Sequence, residues 1–214
     1  MNLLDVIKAR RSIRLFTKDV PPKDLIKECL EAATWAPSAT NQQPWEFIVL
    51  TGEELEKINA INQDKFAERM QGDPYGDIPE HLRERQMHIM STLVEASNEA
   101  GIDPNEIFEK SLRFCDAPVA VYFVTYKTEN NQYDISTAAA LENFLIAAMS
   151  KGLGTCWLNV TIVCEEDIKK HLGITEDKTL LGSVAVGYPV EDSPINTFER
   201  ERVPVDEVTT WLGY

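Results

Sequence analysis

Apolar residues recur at helical spacing near the start of the chain and form unbroken runs further on, and the two patterns predict different elements. Leu3, Leu4 and Ile7 share one face of a short helix over residues 2–9. VPPKDLIKECLEAATWAP places Leu25, Ile26, Cys29, Leu30 and Ala33 at helical spacing, with proline at its first turn and Pro37 past its end. EFIVLT (46–51) and PVAVYFVT (118–125) are short continuous apolar runs, which predict buried strands. LGTCWLNV predicts a turn and a strand, and TLLGSVAVGYP a further buried strand. EELEKINAI, HLRERQMHIMSTLVEASNEAG and CEEDIKKHLG read as helices. DPNEIFEKSLRF is another, with Asp103 as N-cap and Pro104 at its first position. SATNQQP is a polar loop of cap and turn residues. Residues 62–80 hold Gly72, Pro74, Gly76 and Pro79 among charges, and are expected to be loop.

DISTAAALENFLIAAMSKG (134–152) is the most apolar helix: between positions 138 and 149 only Glu142 and Asn143 are polar. Such a helix is expected to be buried on all sides, and one way to bury it in 214 residues is against a second copy of itself. The order helix, helix, strand, helices, strand, helix, strand predicts an α+β fold in a single domain over residues 1–214. Residues 62–113 are expected to be a mostly helical insertion.

A formal net charge of −14 argues against a nucleic-acid or anionic-membrane partner, because counterion release rewards a broad basic face. No apolar run approaches the ~20 residues of a membrane-spanning helix. The beginning, MNLLDVIKARR, lacks the order of a signal peptide, and a cytoplasmic protein is expected. Cys29, Cys115, Cys156 and Cys164 are scattered, which suits reduced thiols. His81, His88 and His171 lack metal-ligand spacing, so no metal is expected.

Common catalytic signatures are missing. There is no GxSxG, HExxH or P-loop lysine, and no GxGxxG follows a strand. Cys156 has no histidine nearby in sequence and reads as a small apolar residue of a buried strand. The chain thus offers no catalytic side chain of its own. What it does offer is arginine. Five of its nine arginines fall in two clusters, Arg10, Arg11 and Arg14 in RRSIRLF and Arg200 with Arg202 near the other end. Ser12 adds a hydroxyl to the first. By spacing alone these are two solvated charge runs, or one anion site if the two ends meet. APSATNQQPWEF is a turn between helix and strand, or a rigid neutral loop suited to a planar heterocycle with carbonyl and imide edges.

RRSIRLF, APSATNQQPWEFIVL, AAALENFLIAAMSKGLGTCW, GYP and RERVP occur in the order and approximate spacing of the nitroreductase family, and the chain resembles that family over nearly its whole length. The resemblance implies a three-layer α-β-α sandwich and an intertwined homodimer with FMN at the subunit interface. It implies that Arg10, Arg11, Ser12 and Arg14 hold the FMN phosphate and ribityl chain, and that Arg200 and Arg202 close on the same phosphate. Pro37, Ser38, Ala39 and Asn41 match the loop that the partner subunit lays against the isoalloxazine. Trp157, Leu158 and Asn159 match the segment on the flavin's other side, where a backbone N–H of Asn159 or Val160 would meet N5. Gln43 and Pro44 are expected to shape the loop rather than touch the ring. Many members carry an Asn and a Lys after the first strand that contact the pyrimidine end. Asn59, Asn62 and Lys65 are the candidates here, and none is assigned.

The resemblance further implies a ping-pong cycle: NADH or NADPH delivers hydride to the flavin, and a nitroaromatic or quinone then takes the electrons. The insertion, with Phe66, Met70, Tyr75, Met87, Met90 and Phe108, is expected to be a lid over that site or extra dimer surface. The alternatives are a flavoprotein of the same fold with other chemistry, reductive dehalogenation or flavin breakdown, or a flavin-binding protein without turnover.

Overall fold

A computed structural model describes residues 2–70 and 78–213. Four strands, β1 (Glu46–Thr51), β2 (Val119–Tyr126), β3 (Gly154–Leu158) and β4 (Lys178–Gly187), form one sheet in the order β1-β2-β4-β3, with every neighbouring pair antiparallel. Among the described residues eight helices surround it: α1 (Leu3–Ala9), α2 (Lys23–Thr34), α3 (Gly52–Arg69), α4 (Glu80–Glu99), α5 (Pro104–Ser111), α6 (Gln132–Ser150), α7 (Glu165–Leu172) and α8 (Pro194–Thr197).

The three layers follow from the strand period of two. On one face of the sheet Val119, Val121, Phe123, Val184 and Val186 pack against Ile26, Cys29 and Ala33 of α2, and against Leu141, Phe144 and Leu145 of α6. On the other face Ala120, Tyr122, Val124, Ala185 and Cys156 pack against Leu55 and Ile58 of α3 and Ile168 of α7. Both faces of β2 and β4 are covered, which is why their sequences read as unbroken apolar runs. The fold is α+β, a three-layer α-β-α sandwich.

Two expectations need correction. β1 is not a continuously buried strand: it lies at the sheet edge, only its Leu50 is buried, and Val49 is 40% exposed. The span 62–80 is not all loop, because α3 runs on to Arg69. Its stripe Leu55, Ile58, Asn59 and Asn62 is buried against the sheet. Its last turn is tied to α7 by Arg69, which pairs with Asp167 at 2.9 Å and Glu166 at 3.2 Å. The glycines and prolines that suggested a loop begin only at Gly72, and Gly72, Pro74, Tyr75 and Gly76 lie outside the described residues. Within one chain α6 is buried along one face only, which leaves the expectation of burial against a second copy open. Ser136, Ala140, Leu141, Phe144 and Leu145 are inside, while Ile135 is 63% exposed and Ile146 and Met149 are partly so. α1 likewise turns Val6 inward and leaves Leu3, Leu4 and Ile7 exposed.

α4 and α5 rest on a smaller cluster of Ala96, Ile107 and Ile195, with Leu15 and Phe198 at its margin. α5 starts as expected, Asp103 accepting from the backbone N–H of Asn105 with Pro104 at the first position.

Candidate functional site

Both ends of the chain are fastened to the β3 side of the sheet. The N–H of Ile13 donates to the carbonyl of Thr155 at 2.8 Å, so residues 12 and 13 run as a short rail beside β3. Buried Asn196, in α8, accepts from the N–H groups of Arg14 and Leu15 at 2.9 and 3.2 Å, and donates to the carbonyls of Leu15 and Val190. One amide side chain therefore knits the segment after the first arginine cluster to the segment before the second.

The arginines then converge. Arg200 donates to the carbonyl of Arg10, and to that of Lys8 at 2.7 Å. Arg11 donates to the carbonyl of Phe198, its guanidinium 5.4 Å above that ring. Arg14 donates to the carbonyl of Ser12 at 3.3 Å, and Arg202 to that of Glu201 at 2.7 Å. Arg10, Arg11, Ser12, Arg14, Arg200 and Arg202 line one cavity of about 650 Å³. Among the described residues the only carboxylate paired with any of the five is Glu142, 3.5 Å from Arg10. Partial burial, then the charge of Arg14, pulls the Arg11 guanidinium below its ordinary value. Burial, followed by Arg11, Arg202 and Arg10, does the same to Arg200. Positive charge gathered this way is held against its own repulsion, and an anion would relieve it; each charge-assisted hydrogen bond contributes roughly 1.5–3 kcal/mol.

The other expected residues stand elsewhere in the same chain. Pro37, Ala39 and Asn41 are exposed, and with half-buried Ser38 they lie outside the lining of the basic cavity. Their loop is rigid nonetheless. Thr40, Asn41 and Gln43 take positive φ, and Ser38 Oγ accepts from the N–H of Gln43 at 3.0 Å. Pro44 and Trp45 anchor it in the interior. Trp157 is half exposed on β3, its indole laid over Gly182, where a Cβ would come within 2.5 Å of Nε1. Leu158 is buried and Asn159 exposed. The carbonyl of Leu158 accepts from Ser183 Oγ at 3.0 Å; Ser183 also bonds the hydroxyl of Thr161, whose carbonyl takes the hydroxyl of Tyr122 at 3.2 Å. This buried set fixes the backbone where residues 157–159 leave the sheet.

Asn59 and Asn62 are buried between α3 and the sheet, away from the cavity, and Lys65 pairs with Glu68 at 3.0 Å. Cys156 is buried too. A hydrogen bond from Cys115 chiefly draws its thiol down, aided by Arg14, while Cys115 itself is pushed up. Phe66 and Phe108 of the expected insertion stack edge to face at 6.0 Å, joining α3 to α5.

Sequence reasoning missed one wall of the cavity. His81, Arg85 and His88 of α4 line it together with the two clusters, His88 meeting Glu201 at 3.4 Å. Their spacing, H-x-x-x-R-x-x-H, puts three basic groups on one helix face, and that was the available signal.

Comparison with known proteins bears on this arrangement. The model of the family described as "Nitroreductase family" matches residues 7–188. A chloronitrobenzene nitroreductase of Comamonas testosteroni is 27% identical, over 97% of this chain and 96% of that protein. An FMN and NADPH-dependent nitroreductase, NfnB, of Sphigopyxis sp. strain HMH superposes with a TM-score of 0.90 over the whole of both chains, at 22% identity. A nitroreductase of Bacteroides fragilis NCTC 9343, solved with bound FMN, superposes with a TM-score of 0.69 over 99% of this chain and all of that one, at 25% identity.

Proposed function

The chain belongs to the nitroreductase family, and from that premise we propose that it is an FMN-dependent oxidoreductase using NADH or NADPH to reduce nitroaromatic, quinone or similar small acceptors. One observation carries the reading: five arginines and a serine, drawn from both ends of an acidic chain, line a single cavity. Guanidiniums with a hydroxyl are the donor set for a phosphate monoester dianion, so these residues fit the FMN phosphate.

In this reading Arg10, Arg11, Ser12, Arg14, Arg200 and Arg202 hold the phosphate and ribityl chain. Residues 157–159 flank the ring system, and the main chain fixed by Ser183 and Thr161 presents the N–H of Asn159 or Val160 to N5. FMN, when bound, supplies the hydride chemistry, which is why the chain needs no acid, base or nucleophile of its own. Pro37, Ser38, Ala39 and Asn41 complete the site from a second copy. Two features support that homodimer. The loop is absent from its own chain's basic cavity, and Leu3, Leu4, Ile7 and Ile135 leave apolar surface uncovered. α4 and α5 form a helical insertion in one domain, and α4 borders the site as part of its wall. The four buried free thiols accord with a cytoplasmic enzyme.

The test is direct. Purified protein should carry or take up FMN, lose the flavin's visible absorbance on addition of NADPH or NADH, and regain it with a nitroaromatic or quinone. A colourless protein that takes up no added FMN overturns the reading.

A further inference from the structure

The basic cavity holds more positive charge than one phosphate uses, and part of the surplus is carried by α4. His81, Glu84, Arg85, His88 and Ile89 line the cavity from α4, at positions three, four, seven and eight residues apart, which is one helix face. Over the whole lining six arginines stand against three glutamates, Glu84, Glu201 and Glu207. His88 already engages Glu201 at 3.4 Å. Arg85 has no ion-pair partner among the described residues. A phosphate monoester carries about −1.5 to −2 charge, which two guanidiniums match. A cavity of about 650 Å³ has room for a second group beyond that phosphate.

Arg10, Arg11, Arg14 and Arg200 are half-buried, whereas Arg202, His81, Arg85 and His88 are exposed, so α4 adds its basic groups at the solvent side of the cavity. A co-substrate whose reactive end meets the flavin leaves its far end toward solvent. NADPH and NADH differ by one group at that far end, a phosphate on the adenosine ribose. We propose that Arg85, with His81 and His88 on the same face of α4, binds the 2′-phosphate of NADPH and makes this enzyme prefer NADPH over NADH. The proposal rests on the flavoenzyme reading above. A guanidinium suits the role because it meets a phosphate with two parallel N–H donors and stays charged at any working pH. His81 and His88 add ring N–H donors on the same helix face.

The holoenzyme and its Arg85→Ala variant decide it. The kcat/KM for NADPH should exceed that for NADH in the wild type, and the variant should lose about 10–100-fold of that ratio with FMN content unchanged, the loss of one charged hydrogen bond to phosphate. Equilibrium binding gives a second readout. Wild-type protein should bind adenosine 2′,5′-bisphosphate about tenfold or more tightly than adenosine 5′-monophosphate, and the variant should bind both alike. Equal use of the two dinucleotides by the wild type overturns the proposal. So does an equal fall for both in the variant, or departure of FMN from it. Where the variant fails to fold, equal affinity of the wild type for the two adenosine nucleotides overturns it instead. A wild type that binds no FMN sinks the enzyme reading, and the nucleotide comparison still judges the wall.

Discussion

Arg200 Nη2 donates to the carbonyl oxygen of Lys8 at 2.7 Å, joining residues 192 positions apart, and its Nη1 donates to the carbonyl of Arg10. Lys8 is in the last turn of α1 and Arg10 is its C-cap, so Arg200 meets carbonyls that a helix end leaves without intrahelical partners. Among the described residues Arg202 holds only the carbonyl of its own neighbour Glu201. One arginine closes the ring between the two ends of the chain; the other keeps donors for a ligand.

That difference separates two substitutions. Arg202→Ala should weaken FMN retention by about 10–100-fold, as expected for one charged contact of roughly 1.5–3 kcal/mol, and leave unfolding almost unchanged. Arg200→Ala should lower both flavin affinity and stability. Flavin dissociation constants by fluorescence, set beside urea unfolding, check the pair. Full flavin affinity in Arg202→Ala would return that residue to the solvated surface.

Gly154 sets how closely the first arginine cluster approaches the sheet. A Cβ there would stand 2.8 Å from Cγ1 and 3.1 Å from Cβ of Ile13, which is itself buried. Gly154→Ala should therefore push the rail of residues 12 and 13 away from β3, costing about 1–3 kcal/mol as an overpacked site. Thermal unfolding and flavin content should fall together. A variant as stable as wild type, with full flavin, would show that the rail can shift without disturbing the site.

Much of this was legible in the sequence, for reasons that differ by element. β2 and β4 were plain because helices cover both their faces, so most of their positions are apolar. α5 announced itself through Asp103 and Pro104. β1 misled because an apolar run says nothing about whether a strand has one neighbour or two. α3 ran past its expected end because Asn59 and Asn62 continue its buried stripe, and a polar pair does not look like a core. The meeting of Arg11 with Phe198 had no local signal at all. It follows from the bonds of Asn196, which are tertiary; the resemblance implied only that the two arginine clusters close on one phosphate. Arg85 went unremarked because its helix reads from sequence as a lid or dimer surface carried by Phe and Met residues, and its basic face drew no notice.

Ser183 positions the main chain that flanks the proposed flavin. Its hydroxyl bonds the Leu158 carbonyl and the Thr161 hydroxyl, all inside the protein. Ser183→Ala leaves that carbonyl with only the longer contact to Thr161 at 3.5 Å, an expected loss of about 1–3 kcal/mol. Flavin reduction by NADPH, followed by stopped-flow absorbance, should slow more than flavin binding weakens. Unchanged reduction would mean that residues 157–159 hold their place without this bond.

The proposed dimer predicts that assembly and flavin binding fail together. Leu4 is 57% and Ile135 is 63% exposed in one chain. Leu4→Glu with Ile135→Glu would bring carboxylates into an apolar contact, and two-fold symmetry repeats each change on the other copy. Light scattering should report a monomer, with FMN lost in parallel because the loop of residues 37–41 is gone from the site. Monomers that keep flavin would put the whole site within one chain.

Acid should loosen the contact between α3 and α7 through Asp167. The hydrogen bond and charge of Arg69 hold the Asp167 carboxyl below its ordinary 3.8, against a smaller opposing effect of burial. A carboxyl whose folded value is depressed contributes stability above its unfolded value and loses that contribution as pH falls through the folded one. Asp167→Asn should therefore be less stable than wild type by a constant amount from about pH 7 to about pH 5, and the gap should close below roughly pH 3. Both groups are solvent-exposed enough that added salt should narrow the gap at neutral pH. Urea midpoints across that range give the answer. A gap that survives in acid would assign the bond between α3 and α7 to packing rather than to the charge of Asp167, and Arg69 would then lose its place as the clamp.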